Sequence, residues 1–174
     1  MKPKYIAIAA VTLDGKIAKS KNHMSDWTSK EDKDFLHKML DKCDVVLVGN
    51  NTYKTAVEPL SKRNCIVLTG KIKKPLQKSK NLLYINPKAT NLGRLIAKKK
   101  YRRVAILGGT QTYSYCLDNN LLDEIYLTIE PLVFGKGINL FESQKFIEYK
   151  FKLASIKKLN SNGTLLLHYK KFKG

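Results

Sequence analysis

The chain has 174 residues, of which 43% are hydrophobic, and this is enough for one domain with a buried core, so a disordered or fibrous protein is excluded. Lysine and arginine outnumber aspartate and glutamate by 33 to 14, which gives a net charge of +19. Only four of these basic residues are arginines, and the lysines are scattered along the whole chain, so we expect the surface to steer small polyanions rather than to bind nucleic acid.

Apolar segments rich in β-branched residues alternate with helical patterns through the first two thirds of the chain. We predict strands at 5–11, 45–48, 65–68, 82–85 and 104–107, and helices at about 29–42, 51–57, 91–100 and 110–118. The strands are nearly continuous apolar runs, as in strands that are buried on both faces. The alternating order is typical of a parallel α/β sheet covered by helices.

The last third of the chain has strand composition without helices between the strands. The candidate strands are 124–130, 145–157 and 164–172, and Ser161-Asn162-Gly163 is a tight-turn signal. We therefore predict a single α/β domain over 1–174 whose mostly parallel sheet ends in an antiparallel strand or hairpin. The lysine-rich stretch 71–80 is interpreted as an exposed loop.

Cysteine and histidine usage predicts neither disulfides nor a metal site. Cys43, Cys65 and Cys116 are odd in number, lie in or beside apolar segments and show no C-x-x-C spacing, which indicates reduced, buried thiols in a cytoplasmic protein. The three histidines are far apart in the sequence. No apolar run approaches the roughly 18 residues of a spanning helix, so we expect a soluble protein without a membrane partner.

An acid on the apolar side of the first predicted helix is a candidate for chemistry. Thr28 predicts the helix start, with Glu31 as its capping-box partner. Asp32 lies three and four residues before Phe35 and Leu36, so its carboxylate points along the buried face. Either Asp32 only complements the positive end of the helix dipole, or it is an acid in an apolar cleft that holds or protonates a nitrogen heterocycle.

Two turns combine glycine with threonine directly after predicted strands. Small residues there let free backbone N–H groups approach an anion, and the threonine hydroxyls add donors. Either both are ordinary strand-to-helix turns, or they grip one dinucleotide from two sides, because the carboxyl ends of parallel strands share one edge of the sheet. The turns are Gly49-Asn50-Asn51-Thr52-Tyr53 and Gly108-Gly109-Thr110-Gln111-Thr112.

The order of motifs along nearly the whole chain resembles the dihydrofolate reductase family. The resemblance implies a three-layer α/β fold around an eight-stranded, mostly parallel sheet. It also implies that NADPH and dihydrofolate meet at the carboxyl ends of the strands. The motifs are Ile8-Ala9-Ala10, Asp14-Gly15-Lys16-Ile17, Met24, Trp27, Asp32, Gly49-x-x-Thr52, Pro59-Leu60, Arg63, Gly108-Gly109 and Tyr126-Leu127-Thr128.

The resemblance also implies roles for individual residues. Trp27 and Asp32 match the active-site tryptophan and the acid that binds the pterin, and Thr128 matches a threonine linked to that acid. Arg63, at the family's spacing from Thr52, matches the arginine that pairs with the substrate's glutamate α-carboxylate. Ala10 and Leu36 are further implied substrate contacts. The implied cofactor contacts are Ala10, Ile17, Met24, Gly49, Asn50, Thr52, Thr69, Leu107, Gly108, Gly109, Thr110, Gln111, Thr112 and Tyr113.

Two positions in these turns depart from the family's pattern. Asn50 and Gln111 stand where many family members have arginines near the adenosine phosphates. Discrimination between NADPH and NADH is therefore assigned to Thr69 and Lys71.

Other segments resemble a sister group, the reductase domain of riboflavin biosynthesis, which shares the fold and NADPH but reduces the ribosyl group of an aminopyrimidine phosphate. This chain lacks the Asp-Asp-Pro that such enzymes place shortly after the Gly-x-x-Thr turn, so we prefer dihydrofolate reduction, by a monomer or a homodimer. A basic nucleic-acid-binding domain on the same fold is the remaining alternative. The segments that carry the second resemblance are 13–18, 26–32, Leu122-Asp123-Glu124, Pro131 and Phe134-Gly135-Lys136-Gly137.

Overall fold

A computed structural model describes residues 2–21, 23, 25–143 and 148–172. The strands are β1 (Lys4–Thr12), β2 (Lys16–Ala18), β3 (Val45–Gly49), β4 (Cys65–Leu68), β5 (Leu76–Ser79), β6 (Leu82–Ile85), β7 (Arg103–Ile106), β8 (Glu124–Glu130), β9 (Ile138–Asn139), β10 (Phe151–Lys158) and β11 (Leu165–Lys171). The helices are α1 (Lys30–Leu40), α2 (Asn50–Thr55), α3 (Val57–Leu60), α4 (Leu92–Lys98) and α5 (Thr110–Asp118), and Ser25–Trp27 forms a 3-10 turn.

The main sheet has nine strands within the described residues, in the order β10-β11-β8-β1-β7-β3-β4-β6-β5. The strands from β8 to β6 in this order run parallel to one another. The β10–β11 hairpin is antiparallel at one edge, and β5 is antiparallel at the other. This architecture confirms the predicted α/β class, with a mostly parallel sheet and an antiparallel C-terminal end, but the sheet has nine strands where the resemblance implied eight.

Apolar residues on both faces of the central strands build a core on each side of the sheet. Helices α4 and α5 cover one face, where Leu92, Ile96 and Tyr113 are buried. Helices α1, α2 and α3 cover the other face through Met39, Tyr53 and Leu60. The protein therefore has three layers. None of the described helices combines the length and the hydrophobicity that would be needed to span a bilayer.

The structure corrects several predicted boundaries. The predicted helix 51–57 is divided between α2, which ends at Thr55, and α3. The prediction of a loop over 71–80 is wrong for its second half, because β5 pairs there with β6 through backbone bonds although all four of its side chains are exposed. Of the predicted strand 145–157, residues 144–147 lie outside the described residues, and β10 begins at Phe151. The short sheet of β2 and β9 was not predicted.

Candidate functional site

The two glycine turns lie in direct contact at the carboxyl edge of the sheet. Gly49 precedes α2, and its N–H donates to the carbonyl of Gly108 at 2.7 Å. A Cβ atom added to Gly49 would lie 2.9 Å from Oγ1 of Thr112, and one added to Gly109 would lie 3.3 Å from Oγ1 of Thr52. The Gly108–Gly109 peptide bond is cis. The structure therefore brings both predicted turns together, and the close approach of the two chains requires glycine.

The starts of α2 and α5 fit an anionic cofactor such as a nicotinamide dinucleotide. Their N-cap residues are Gly49 and Gly109, which have no side chain to accept hydrogen bonds from the first-turn N–H groups. Such groups, together with the positive end of the helix dipole, suit a phosphate. The exposed side chain of Gln111 lies in the first turn of α5.

Some of the residues that were predicted to contact the cofactor are engaged within the protein. The Tyr113 side chain is 3% exposed, its hydroxyl donates to the carbonyl of Ile8 at 2.6 Å, and burial raises its pKa. A Cβ atom on Gly108, whose φ is +90°, would lie 2.6 Å from the Tyr113 ring. The Thr110 hydroxyl donates to the carbonyl of Asn139. Tyr113 therefore supports the Gly108 turn from the core, and Thr110 fixes β9.

Asp32 is buried in the first turn of α1, with 7% of its surface exposed. Burial raises the pKa of Asp32, hydrogen bonds from the side chains of Thr128 and Thr28 lower it, and the charge of Glu130 raises it further. The prediction that Thr28 caps the helix is wrong: Ser29 is the N-cap, and its Oγ accepts from the Asp32 N–H at 3.3 Å. The Thr28 side chain interacts with the Asp32 carboxylate instead.

Sequence reasoning missed two buried polar residues, namely Glu130, whose charge acts on Asp32, and Thr164, which bonds to Glu130. Glu130 accepts hydrogen bonds from the Ser29 N–H and from the Thr164 hydroxyl, each at 2.7 Å. Glu130 could have been found from the alternation of side chains along β8, since Thr128 and Glu130 are two residues apart and share one face of the sheet.

Trp27 lies just before this cluster, in the 3-10 turn. Its ring packs edge-on against Phe134, with 5.1 Å between the ring centroids. Its Nε1 is buried and has no hydrogen-bond partner among the described residues, so a bound water or ligand would satisfy it. Met24, another residue that the resemblance implicates, lies outside the described residues.

Arg63 is not grouped with the other candidates. It lies just before β4, at the amino end of that strand and thus at the edge opposite the glycine turns, and its guanidinium pairs with the Asp41 carboxylate at 2.7 Å. The Thr69 Oγ1 at the end of β4 accepts from the Lys71 N–H at 3.3 Å. Ala10, Ile17, Leu36, Asn50, Thr52 and Leu107 are all half-buried.

The protein is a three-layer α/β protein that carries paired glycine turns and a buried acid at the carboxyl edge of its sheet. The family model described as "Dihydrofolate reductase" matches residues 4–161, and the chain belongs to that family. Membership supports a nicotinamide-dependent oxidoreductase. Among the residues described, no group of three or more histidine, cysteine or acidic side chains could hold a metal ion.

Known proteins of the same fold include a dihydrofolate reductase and a pyrimidine reductase-like protein. The chain is 28% identical to "Uncharacterized protein YwjB" of Bacillus subtilis over 177 residues, which cover 97% of this chain and 98% of that protein. A pyrimidine reductase-like protein of Corynebacterium diphtheriae has a TM-score of 0.76 at 15% identity, covering 99% and 93% of the two chains. The dihydrofolate reductase of Enterococcus faecalis, complexed with NADP(H), has a TM-score of 0.67 at 20% identity, covering 98% and 97%.

Proposed function

We propose that this protein is an NADPH-dependent reductase of a small molecule whose nitrogen heterocycle is held by Asp32, with 7,8-dihydrofolate as the first candidate substrate and tetrahydrofolate as the product. The observation that supports this proposal most directly is the buried Asp32 carboxylate, which interacts with Thr128 and Thr28. Thr128 lies opposite Ala10 in the parallel register of β8 and β1, near the carboxyl ends of both strands. Asp32 thus lies at the edge that carries the glycine turns.

Each of these residues has a chemical role in this proposal. Asp32 accepts N–H hydrogen bonds from the heterocycle, and its raised pKa lets it hold a proton nearer to neutrality than an exposed aspartate does. Thr128 and Thr28 fix the orientation of the carboxylate. The buried Nε1 of Trp27 is a donor for a water molecule or for the substrate. Bound NADPH supplies the hydride. Gly49, Gly109 and their helix starts hold its phosphates.

A ribosylaminopyrimidine phosphate is the second candidate substrate, and the placement of Arg63 favours it. The guanidinium is paired with the exposed Asp41 carboxylate, so a glutamate α-carboxylate would have to compete with that partner. A pyrimidine can present N–H groups to Asp32 without a glutamate tail. NADPH oxidation followed with each substrate in turn separates the two candidates.

Replacement of the buried acid tests both candidates. Asp32→Asn should lower kcat/KM with the active substrate by about 100-fold or more, because the amide cannot carry the charge or the proton. NADPH binding, followed by quenching of Trp27, which is the single tryptophan, should be unchanged. Asp26→Asn is the matched control, since the Asp26 side chain is 79% exposed. Near-native turnover by Asp32→Asn with either substrate would contradict the assignment.

A further inference from the structure

Glu130 is a second buried carboxylate at the site, and only 3% of its surface is exposed. Its Oε1 accepts from the Ser29 N–H and its Oε2 from the Thr164 hydroxyl, both at 2.7 Å. Thr164 is itself 1% exposed and is bonded to Asn160 through both its N–H and its Oγ1. Both oxygens of Glu130 therefore act as acceptors for donors that the fold holds in place.

These bonds connect Glu130 to the backbone from which Asp32 projects. Glu130 accepts a hydrogen bond from the N–H of Ser29. Ser29 is also the N-cap of α1, and its Oγ accepts from the Asp32 N–H. On the sheet side, Glu130 shares one face of β8 with Thr128, which interacts with the Asp32 carboxylate. Asp32 is thus held between two elements that Glu130 joins, the start of α1 and the end of β8.

We propose that Glu130 is a positioning residue for Asp32, which fixes the first turn of α1 and places a second negative charge beside the carboxylate that holds the substrate ring. This inference rests on the proposed function in taking Asp32 as that carboxylate. Two neighbouring negative charges favour a ring that presents N–H donors or carries a positive charge. The substrate class would accordingly be heterocycles that donate to the site.

The titratable groups that face Asp32 come from three elements. Lys33 on α1 favours the ionised form of Asp32, and Glu130 on β8 disfavours it. Tyr113 on α5 is also close enough to interact with Asp32, and its raised pKa keeps it neutral. Because burial is the largest cause of the raised pKa of Asp32, loss of the Glu130 charge should lower that pKa without restoring the ordinary value.

Carboxyl 13C NMR titration of the ligand-free protein tests this proposal directly, with the Asp32 resonance assigned by its absence in Asp32→Asn. Glu130→Gln should lower the apparent pKa of Asp32, since it removes a like charge but keeps an acceptor for the Ser29 N–H. In Glu130→Gln, the acidic side of the pH profile of kcat/KM with the active substrate should shift to lower pH together with the pKa of Asp32.

Glu124→Gln is the matched control, because Glu124 is also buried on the same face of β8 but lies six residues before Glu130 and contacts Lys4 and His168 instead of the start of α1. Unlike Glu130, Glu124 is not among the groups that act on the Asp32 charge. An unchanged Asp32 titration in Glu130→Gln, or an equal shift in Glu124→Gln, would overturn the proposal. If Glu130→Gln does not fold, Thr164→Val, which removes the donor to Glu130 Oε2, takes its place, and an Asp32 titration identical to that of wild type overturns the proposal. Absence of turnover with both substrates would refute the proposed function alone, since the NMR titration needs no substrate.

Discussion

The Asp32 carboxylate lies where its charge is unfavourable for folding, because burial raises its pKa above that of an exposed aspartate. In the unfolded chain this side chain has its ordinary, lower pKa. Between the two pKa values the folded state binds more protons than the unfolded state, so the stability contributed by Asp32 is present at low pH and is lost as the pH rises through the folded pKa. A residue retained at this cost to stability points to a function.

Asp32→Asn should therefore be more stable than wild type at neutral pH, because the amide removes a buried charge and keeps an acceptor for Thr128 or Thr28. The difference in Tm should narrow as the pH falls through the raised pKa of Asp32, because the wild-type carboxyl then takes up its proton and the buried charge is lost. Thermal denaturation from neutral to acidic pH measures this trend, with Asp26→Asn as the exposed control. A variant less stable than wild type at neutral pH would show that the Asp32 charge stabilises the fold.

At the level of secondary-structure elements, the sequence predicted the strands and helices whose residues are buried. It missed features that depend on a partner elsewhere in the chain. The continuous apolar runs of β1, β3, β4 and β7 and the helical spacing of Asp32 against Phe35 are local signals, and the structure confirms them. The four exposed residues of β5 form a strand only because β6 offers a backbone ladder. Glu130 and its partner Thr164 are 34 residues apart, so no local pattern could reveal their bond.

The contact between the glycine turns gives a prediction at this scale. Gly49→Ala would place a methyl group 2.9 Å from Oγ1 of the buried Thr112 and should cost about 1–3 kcal/mol of unfolding free energy. Because the displaced segment is the start of α5, NADPH affinity should fall as well. Urea denaturation and quenching of Trp27 fluorescence measure the two effects.

Gly70→Ala is the control for the turn, since nothing lies within 4 Å of a Cβ atom there and its φ is outside the left-handed region. We expect this variant to match wild type or to exceed it slightly in stability. A second substitution, Thr112→Ala, should restore part of the loss caused by Gly49→Ala because it removes the obstructing hydroxyl. Equal stability of Gly49→Ala and wild type would mean that the two turns can separate without cost.

Over the whole molecule, the positive charge is spread across both edges of the main sheet. On β10, Lys152, Lys157 and Lys158 are exposed, and Lys152 lies directly opposite Lys170 of β11, where like charges repel. At the other edge, β5 carries Lys78. Lysines on edge strands discourage pairing with other chains, so part of the +19 charge has a structural use. This distribution favours long-range attraction of anions over a single binding patch.

Long-range attraction should appear in the kinetics of cofactor binding. A net charge of +19 draws a polyanion from every side, so the association rate of NADPH should fall about tenfold as the ionic strength is raised from low to above-physiological values, while its dissociation rate changes less. Stopped-flow quenching of Trp27 measures both rates. Reduced nicotinamide riboside, which lacks the phosphates, is the control and should bind with little dependence on salt. Two results together would contradict this prediction: an association rate for NADPH that does not depend on salt, and competition by a short DNA duplex at physiological salt. They would favour a nucleic-acid-binding role for the lysines.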